Sequence, residues 1–381
     1  MKTWDALVSR ENLLAEFLSR RLSNSSAGPF VSSSYSSIPP FATSYTLRQT
    51  ELGEGGYTTM YNIKLVVIFN HNYEQHVPTL DALYANQFPD RSYLVPFSTS
   101  DRGDVIRVFE DGRTFSGHVA QGHNAFKSPA ATHYLFIADD MILNPSISSS
   151  NLHQRLQLRP DEAYIKSIAP ISKANYLWIF ATRVLESVRR AGFDYSTQLP
   201  HPKLALKRFA ELGIECGPVS LSLLRSWDGR YRFRDLALSP LSVVGYLRQL
   251  CWPQPYPLLF GYSDFFLVPA PELDQFAHFC GVFAAMNVFA EVAVPTAMAL
   301  ACPKIKTELL LGEAFQHPSP KINPSATMQG CELWKSEIGK FEQSFKRNLP
   351  ALLRGFPADQ MYIHPIKLSR WSLPRGHDVV L

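Results

Sequence analysis

The chain has 381 residues, of which 46% are hydrophobic and 18% charged, with a net charge of +4. That balance is too apolar for a disordered protein and long enough for one large α/β domain with additions, or for two domains. The mild positive excess contains no long Lys/Arg block, so no nucleic-acid partner is expected, while a local basic site for phosphates is compatible with it.

Residues 1–24 mix Asp5, Glu11, Glu16 and several arginines with apolar side chains. They lack the continuous apolar core of a signal peptide and read as an amphipathic helix, which leaves peripheral membrane association open. Residues 23–48 are Ser-rich and contain Pro39 and Pro40, the composition of a linker or arm. From Ile63 onward the pattern is that of folded α/β structure. Lys64 to Phe69 is a short apolar strand, Asn70 to Gln75 a polar turn, and Pro78 to Gln87 a helix with proline in its first turn. Ser92 to Phe97 and Val105 to Phe109 are two more strands. Gly117 to Lys127 is a helix, followed by an apolar strand, H-Y-L-F-I-A, that ends at Asp139. Strands alternating with helices every twenty to thirty residues predict a largely parallel sheet with crossover helices.

Farther on, Tyr176 to Arg190 is a helix, and Leu258 to Pro269 is an apolar strand interrupted at Gly261 and Asp264. Helices follow over Pro271 to Phe289 and Glu291 to Leu300. Phe279 to Cys302 contains a single charge, Glu291, which with Asn287 and Pro295 interrupts the run. An ionisable group at bilayer depth costs at least ~2.5 kcal/mol, so the segment reads as two buried helices and not a membrane span. Cys216, Cys251, Cys280, Cys302 and Cys331 are odd in number and lack CxxC spacing, which argues against a disulfide framework or a zinc site and for a reducing cytoplasm. The expected domain division is an N-terminal helix and arm over 1–60, a main domain over 61–310 with halves at 61–145 and 146–310, and a C-terminal segment over 311–381.

The adjacent acids Asp139 and Asp140 carry the most information. In open α/β sheets ligands bind just beyond the carboxyl ends of the strands, and paired carboxylates there supply hard oxygen ligands for a divalent cation. Two acids at that point would also suit a plain turn or helix cap.

The order I-K-L-V-V-I-F-N, helix, strand ending S-T-S-D, then G-H-V-A-Q-G-H-N-A-F-K-S-P-A-A-T-H-Y-L-F-I-A-D-D resembles the nucleotide-binding half of GT-A glycosyltransferases. The likeness covers about 63–144 and extends more loosely to H-P-I-K at 364–367. It implies a GT-A-like, Rossmann-type mixed sheet flanked by helices, with an N-terminal helical extension. It further implies a metal-dependent transfer of sugar from a UDP- or GDP-sugar to a hydroxyl of a glycan or lipid-linked acceptor, with Mn2+ or Mg2+ as cofactor. In that family a D-x-D motif holds the metal. Here the run is A-D-D-M, and D-x-D would need an acid at Ala138 or Met141. Asp140 on the metal with Asp139 on the ribose is the favoured division, and the reverse remains open.

The resemblance also implies that Asp101 contacts the base or ribose, that Asn70, His71 and Tyr73 flank the base, and that Gly122 and Asn124 face the diphosphate. Either Asp264 or Glu291 would be the general base, Glu291 through a pKa raised by its apolar surroundings. His364 would reach back to the metal or diphosphate, with Lys367 adding a point charge for phosphate. The plainer readings are polar loop surface for Asn70, His71, Tyr73 and Asp101, an exposed helix position for Asn124, a helix-start acid for Glu291 and an ordinary histidine for His364. At the level of the whole chain the alternative is a catalytically weak or inactive GT-A-like nucleotide-binding or scaffold subunit. A phosphohydrolase using the same acids would need a D-x-D-x-T/V run, which is absent.

Overall fold

The computed structural model describes residues 61–174, 179–217, 255–307, 329–332, 335–358 and 360–372. The amphipathic helix over 1–24, the Ser-rich arm over 23–48 and Cys251 lie outside them. β1 (Ile63–Ile68) is buried along its whole length. Successive side chains of a strand point to opposite faces, so Ile63, Leu65 and Val67 enter one hydrophobic layer while Val66 and Ile68 enter another. Lys64 buries its stem and pairs its ammonium with Asp90 at 2.7 Å.

After β1 come α1 (Val77–Tyr84), with proline in its first turn, then β2 (Arg91–Pro96), β3 (Val105–Val108), α2 (Ser116–Phe126) and β4 (His133–Ala138). β1 pairs in parallel with β2 on one side and β4 on the other, and β3 adds in parallel beyond β2. β5 (Ile142–Leu143), α3 (Leu152–Leu156), β6 (Glu162–Ile165), β7 (Ile168–Pro170), α4 (Ile179–Arg189) and α5 (Pro202–Glu211) follow. Next are β8 (Leu259–Gly261), β9 (Phe265–Pro269), α6 (Leu273–Ala285), α7 (Ala290–Ala301) and β10 (Lys304–Lys306). The last elements are β11 (Gln329–Glu332), α8 (Lys335–Ser344), α9 (Leu349–Arg354) and β12 (Gln360–His364).

The main sheet has seven strands in the order β10-β6-β9-β4-β1-β2-β3, and only β9 runs against the others. This is the expected Rossmann-type mixed sheet flanked by helices. Helices α2, α6 and α7 cover the face of Val66, Phe136 and Phe266. On the opposite face Leu80 and Leu83 of α1 and Leu352 of α9 pack with Met361 and Ile363 of β12. The last strand lies between β11 and β5 in a small three-stranded sheet, pairing antiparallel with β5 through Tyr362 on Leu143 and Ile363 on Ile142.

The run Leu258 to Pro269 is not one interrupted strand. β8 pairs with β7 in a separate two-stranded ribbon, whereas β9 enters the main sheet. The chain changes sheets over Tyr262 to Asp264, with Tyr262 and Ser263 buried and Asp264 partly exposed. Gly261 makes the close approach at this corner: a Cβ there would lie 2.1 Å from the Ser167 carbonyl oxygen. The apolar run near the C-terminal half forms two helices, α6 and α7, separated by a turn in which Asn287 adopts φ 57°. Among the described residues no helix is long and apolar enough to cross a membrane.

Because backbone and not a flexible side chain blocks the space, Gly261→Ala is expected to lower stability by roughly 1–3 kcal/mol in urea unfolding. Gly103→Ala, with nothing within 4 Å of the added methyl, serves as the control. Equal midpoints for the two variants would contradict the close approach.

Candidate active site

Asp139 and Asp140 leave β4 at the carboxyl end of the parallel strands. The Asp139 amide donates to the Ile68 carbonyl at 2.9 Å, continuing the β1–β4 ladder one residue past the strand. Its carboxylate is buried and accepts the Asn70 amide on Oδ1 at 3.2 Å. Asp140 is met from the C-terminal segment. The Ile366 amide donates to the Asp140 carbonyl at 2.6 Å, and the Lys367 ammonium donates to Asp140 Oδ2 at 2.9 Å. His364 Nε2 lies 3.1 Å from Asp140 Oδ1, within ion-pair range but not aligned for a hydrogen bond, so that the buried Oδ1 accepts none. On the other side of the ring His364 Nδ1 is 3.2 Å from the Tyr262 hydroxyl. β12 is registered on β5, which begins two residues after Asp140, and this pairing carries His364 and Lys367 to the acids.

The two carboxylates are electrostatically unlike. Burial, and then the charge of Asp140, pushes Asp139 up to about 7 against the opposing Asn70 amide and Lys367. Burial also disfavours ionisation of Asp140, but His364 and then Lys367 outweigh it and hold that carboxyl at about 2. One acid is therefore proton-ready near neutrality while its neighbour stays ionised. Burial works against the Lys367 charge too, yet Asp140 and Asp139 raise its pKa above the ordinary value.

Asp264 belongs to the same place. Its carbonyl accepts the Ala138 amide at 3.0 Å, and its Oδ2 lies 4.0 Å from His364 Nε2. The neighbouring Ser263 hydroxyl donates to the Ala290 carbonyl at 3.4 Å, so the start of α7, which carries Glu291, abuts this loop. Glu291 is half-buried, not sunk in an apolar interior as its sequence neighbours suggest. Val292 to Met298 are buried, but the acid occupies the first turn of the helix. Asn70, His71 and Tyr73 follow the end of β1. The His71 and Tyr73 rings, both exposed, meet edge to face at 5.5 Å. Asp101 is exposed on the loop after β2, which Glu74 organises by accepting the Ser98 hydroxyl at 2.6 Å and the Thr99 amide at 3.0 Å. These bonds, the Ser98 hydroxyl first, hold the Glu74 carboxyl below its usual range.

Asn124 is placed elsewhere. A crossover helix runs against the parallel strands, so only its N-terminus reaches their carboxyl ends. Asn124 lies in the last turn of α2, exposed, near the start of β4, where the Ser128 amide donates to the Tyr134 hydroxyl at 2.9 Å. A six-residue strand, roughly 20 Å long, separates that end from Asp139. Gly122 serves packing, since a Cβ there would come within 2.5 Å of Leu94 Cδ2.

Two residues at the site were not foreseen. Tyr262 orients His364. Lys166, buried between β6 and β7, puts its ammonium 5.3 Å from the Tyr262 ring centre and 5.7 Å from that of Tyr362, a cation–π arrangement. The run Y-S-D ending at Asp264 is the sequence signal for Tyr262; Lys166 has none.

The donor set fits a small divalent ion shared with a phosphate ligand. The 3.1 Å between Asp140 Oδ1 and His364 Nε2 matches the roughly 3 Å between adjacent ligands of an ion with ~2.1 Å bonds. Asp140 Oδ1, buried and without a hydrogen bond, is the oxygen such an ion would satisfy. Among the described residues no group of three or more His, Cys, Asp or Glu side chains is arranged to hold a metal. An ion here would need phosphate oxygens and water to complete its shell.

Fold and site together define a Rossmann-type α/β protein with a charge-compensated acid pair at the ligand end of its parallel strands. No family model matches the chain, and no curated protein does. Among solved structures, the X-ray structure of the mannosyltransferase Ktr4p from S. cerevisiae aligns over 66% of this chain and 71% of its own, at 9% identity and a TM-score of 0.28. Core-mannan synthase A (CmsA/Ktr4) from Aspergillus fumigatus, in its Mn/GDP form, aligns over 66% and 74% at 10% identity and a TM-score of 0.26. Likeness of this size adds nothing to the strands and side chains described above.

Asp139 titrates near 7 in the fold against an ordinary 3.8, so the folded state holds an extra proton between those values. The stability tied to that proton is fully present below the lower value and is lost as pH rises through the higher one. Asparagine keeps an acceptor for the Asn70 amide without the charge. In metal-free buffer, Asp139→Asn is expected to raise Tm more at about pH 8 than at about pH 5 in scanning calorimetry. Equal shifts at the two pH values would contradict the raised carboxyl.

Proposed function

We propose that this protein is a metal-dependent glycosyltransferase of the GT-A type that moves a sugar from a UDP- or GDP-sugar to a hydroxyl of a glycan or lipid-linked acceptor. The observation that carries this reading is the convergence of His364 and Lys367 on Asp140, across 227 residues of sequence in the case of Lys367. A buried carboxylate with an imidazole and an ammonium beside it, at the carboxyl end of a parallel strand, suits a ligand bearing a diphosphate and a cation.

A Mn2+ or Mg2+ ion, held by Asp140 and His364, would supply Lewis-acid neutralisation of the departing diphosphate. The remaining work falls to the chain. Lys367, whose side chain is about half exposed (54%), can exchange Asp140 for a phosphate oxygen and add a second positive charge. Tyr262 holds the Nδ1 side of His364, leaving Nε2 toward Asp140. Asp139 stands beside Asn70 at the end of β1, the position for a ribose contact, with His71, Tyr73 and Asp101 on the loops that would flank the base. Asp264, within 4.0 Å of His364, is the carboxylate best placed to take the proton of the acceptor hydroxyl, and Glu291 is the alternative on the neighbouring helix. We place this activity in the cytoplasm, with the amphipathic N-terminus available for peripheral membrane contact.

A second reading, a nucleotide-binding subunit without turnover, is favoured by one observation: Lys367 already neutralises the carboxylate that would hold the metal.

Calorimetric titration of GDP and UDP is expected to show Mn2+ binding only when nucleotide is present. Asp140→Ala should weaken Mn2+-dependent nucleotide binding by roughly tenfold or more and abolish sugar transfer. Unchanged turnover in Asp140→Ala would sink the assignment. Asp264→Asn is expected to lower kcat by about 10²- to 10⁴-fold with nucleotide binding preserved, and the same loss in Glu291→Gln alone would move the base to that residue. Metal-dependent nucleotide binding with no hydrolysis or transfer across a broad acceptor panel would favour the second reading.

A further inference from the structure

A separate cavity of about 100 Å³ lies in the helical layer, between the Gly112–Thr114 turn that precedes α2, one face of α4, and the link from α6 to α7. Arg113, Arg183, Ser187, Asn287 and Phe289 line it, and none of the residues gathered at Asp140 does. Space of that size holds several waters, since about 10–15 Å³ suffices for one, or a single tetrahedral oxyanion.

No acid is among its lining residues. Two arginines, both exposed, line one cavity, and neither has an ion-pair or side-chain hydrogen-bond partner among the described residues. The acids on the adjoining loop are committed to their own turn. Glu110 Oε1 accepts the Asp111 amide and the Thr114 hydroxyl, each at 2.9 Å, and Asp111 Oδ1 accepts the Arg113 amide at 2.6 Å. The Ser187 hydroxyl and the Asn287 side-chain amide are likewise unengaged among the described residues, and both can donate to an oxyanion. Asn287 adopts φ 57°, a conformation in which asparagine is enriched among residues other than glycine. Two guanidinium side chains and two neutral donors on one lining are the groups that bind phosphate oxygens, and Phe289 adds an apolar side chain to the same lining.

We propose that this cavity binds the phosphate group of a small phosphorylated molecule, at a site distinct from the one at Asp140. The site lies at the same end of the sheet as the acids. The turn carrying Arg113 packs on the end of β1, where a Cβ on Gly112 would lie 2.4 Å from the Asn70 carbonyl oxygen. A ligand here would thus sit beside the segment whose amide binds Asp139. The proposal stands on the cavity itself and does not require the glycosyltransferase reading.

The test is calorimetric titration of the full chain with inorganic phosphate, with a hexose 6-phosphate and with a short prenyl phosphate, each with and without saturating GDP and Mn2+. Phosphate binding is expected to persist with nucleotide present and to weaken by about tenfold or more in Arg113→Gln and in Arg183→Gln. Lys203→Gln, which removes an exposed charge outside the cavity, is expected to bind as the wild type does. Tighter binding of either ester than of inorganic phosphate, lost in the same two variants, supports the proposal and tells a soluble sugar phosphate from a lipid phosphate. Binding that is unchanged in both cavity variants, absent from the wild type, or abolished by nucleotide would overturn it. Thermal unfolding of the variants confirms that they fold, and phosphate bound without any nucleotide binding would leave this inference standing while the proposed function fails.

Discussion

Two carboxylates side by side at the end of a buried strand cannot both remain ionised unless positive charge is brought to them, and this requirement organises the ligand end of the molecule. The cost of burying a charge is met unequally: Asp139 rises to about 7, and Asp140 stays ionised because His364 and Lys367 face it. The pair therefore depends on a segment more than two hundred residues away.

The compensation relies on strand pairing and not on long-range charge alone. β5 follows the acids within two residues, and β12 takes its register from β5, so the backbone hydrogen bonds of a three-stranded sheet set where the imidazole and ammonium arrive. The amide of Ile366 on the carbonyl of Asp140 locks the same register from the backbone. On the other flank, the single antiparallel strand of the main sheet, β9, brings Asp264 beside Ala138. Parallel strands alone would put only their carboxyl ends at the site. One reversed strand delivers the loop that precedes it, so Asp264 arrives at the end of β4, where its carbonyl accepts the Ala138 amide.

The helical layer has its own logic. Small residues let α2 and α6 approach closely, with Gly281 facing Ala120 and Gly117 facing Ala284. That contact places the end of α6 and the start of α7 at the same edge of the sheet as the acids. Polar groups lining the Arg113–Arg183 cavity are thus gathered by apolar packing behind them, and their charges are held together by the fold and not by attraction for one another.

Much of the fold was legible in the chain itself. The fully apolar runs of β1 and β4, the proline at the start of α1 and the alternation of strand with helix each reflect short-range constraints: side-chain burial on both faces, a backbone with a missing donor, and the period of an amphipathic helix. The acid pair at the end of β4 was legible for the same reason, because a strand's end follows from its own sequence. Other features depended on neighbours that sequence does not name. The division of Leu258–Pro269 between two sheets turns on which strands β8 and β9 meet. Asn124 falls at the far end because a crossover helix must run back along the sheet. Lys166 joins the site only because the rings of Tyr262 and Tyr362 arrive around it. Local chemistry thus determined the elements and marked the acids. The unequal titration of Asp139 and Asp140 was decided by tertiary structure alone, since it comes from burial and from charges contributed by distant segments.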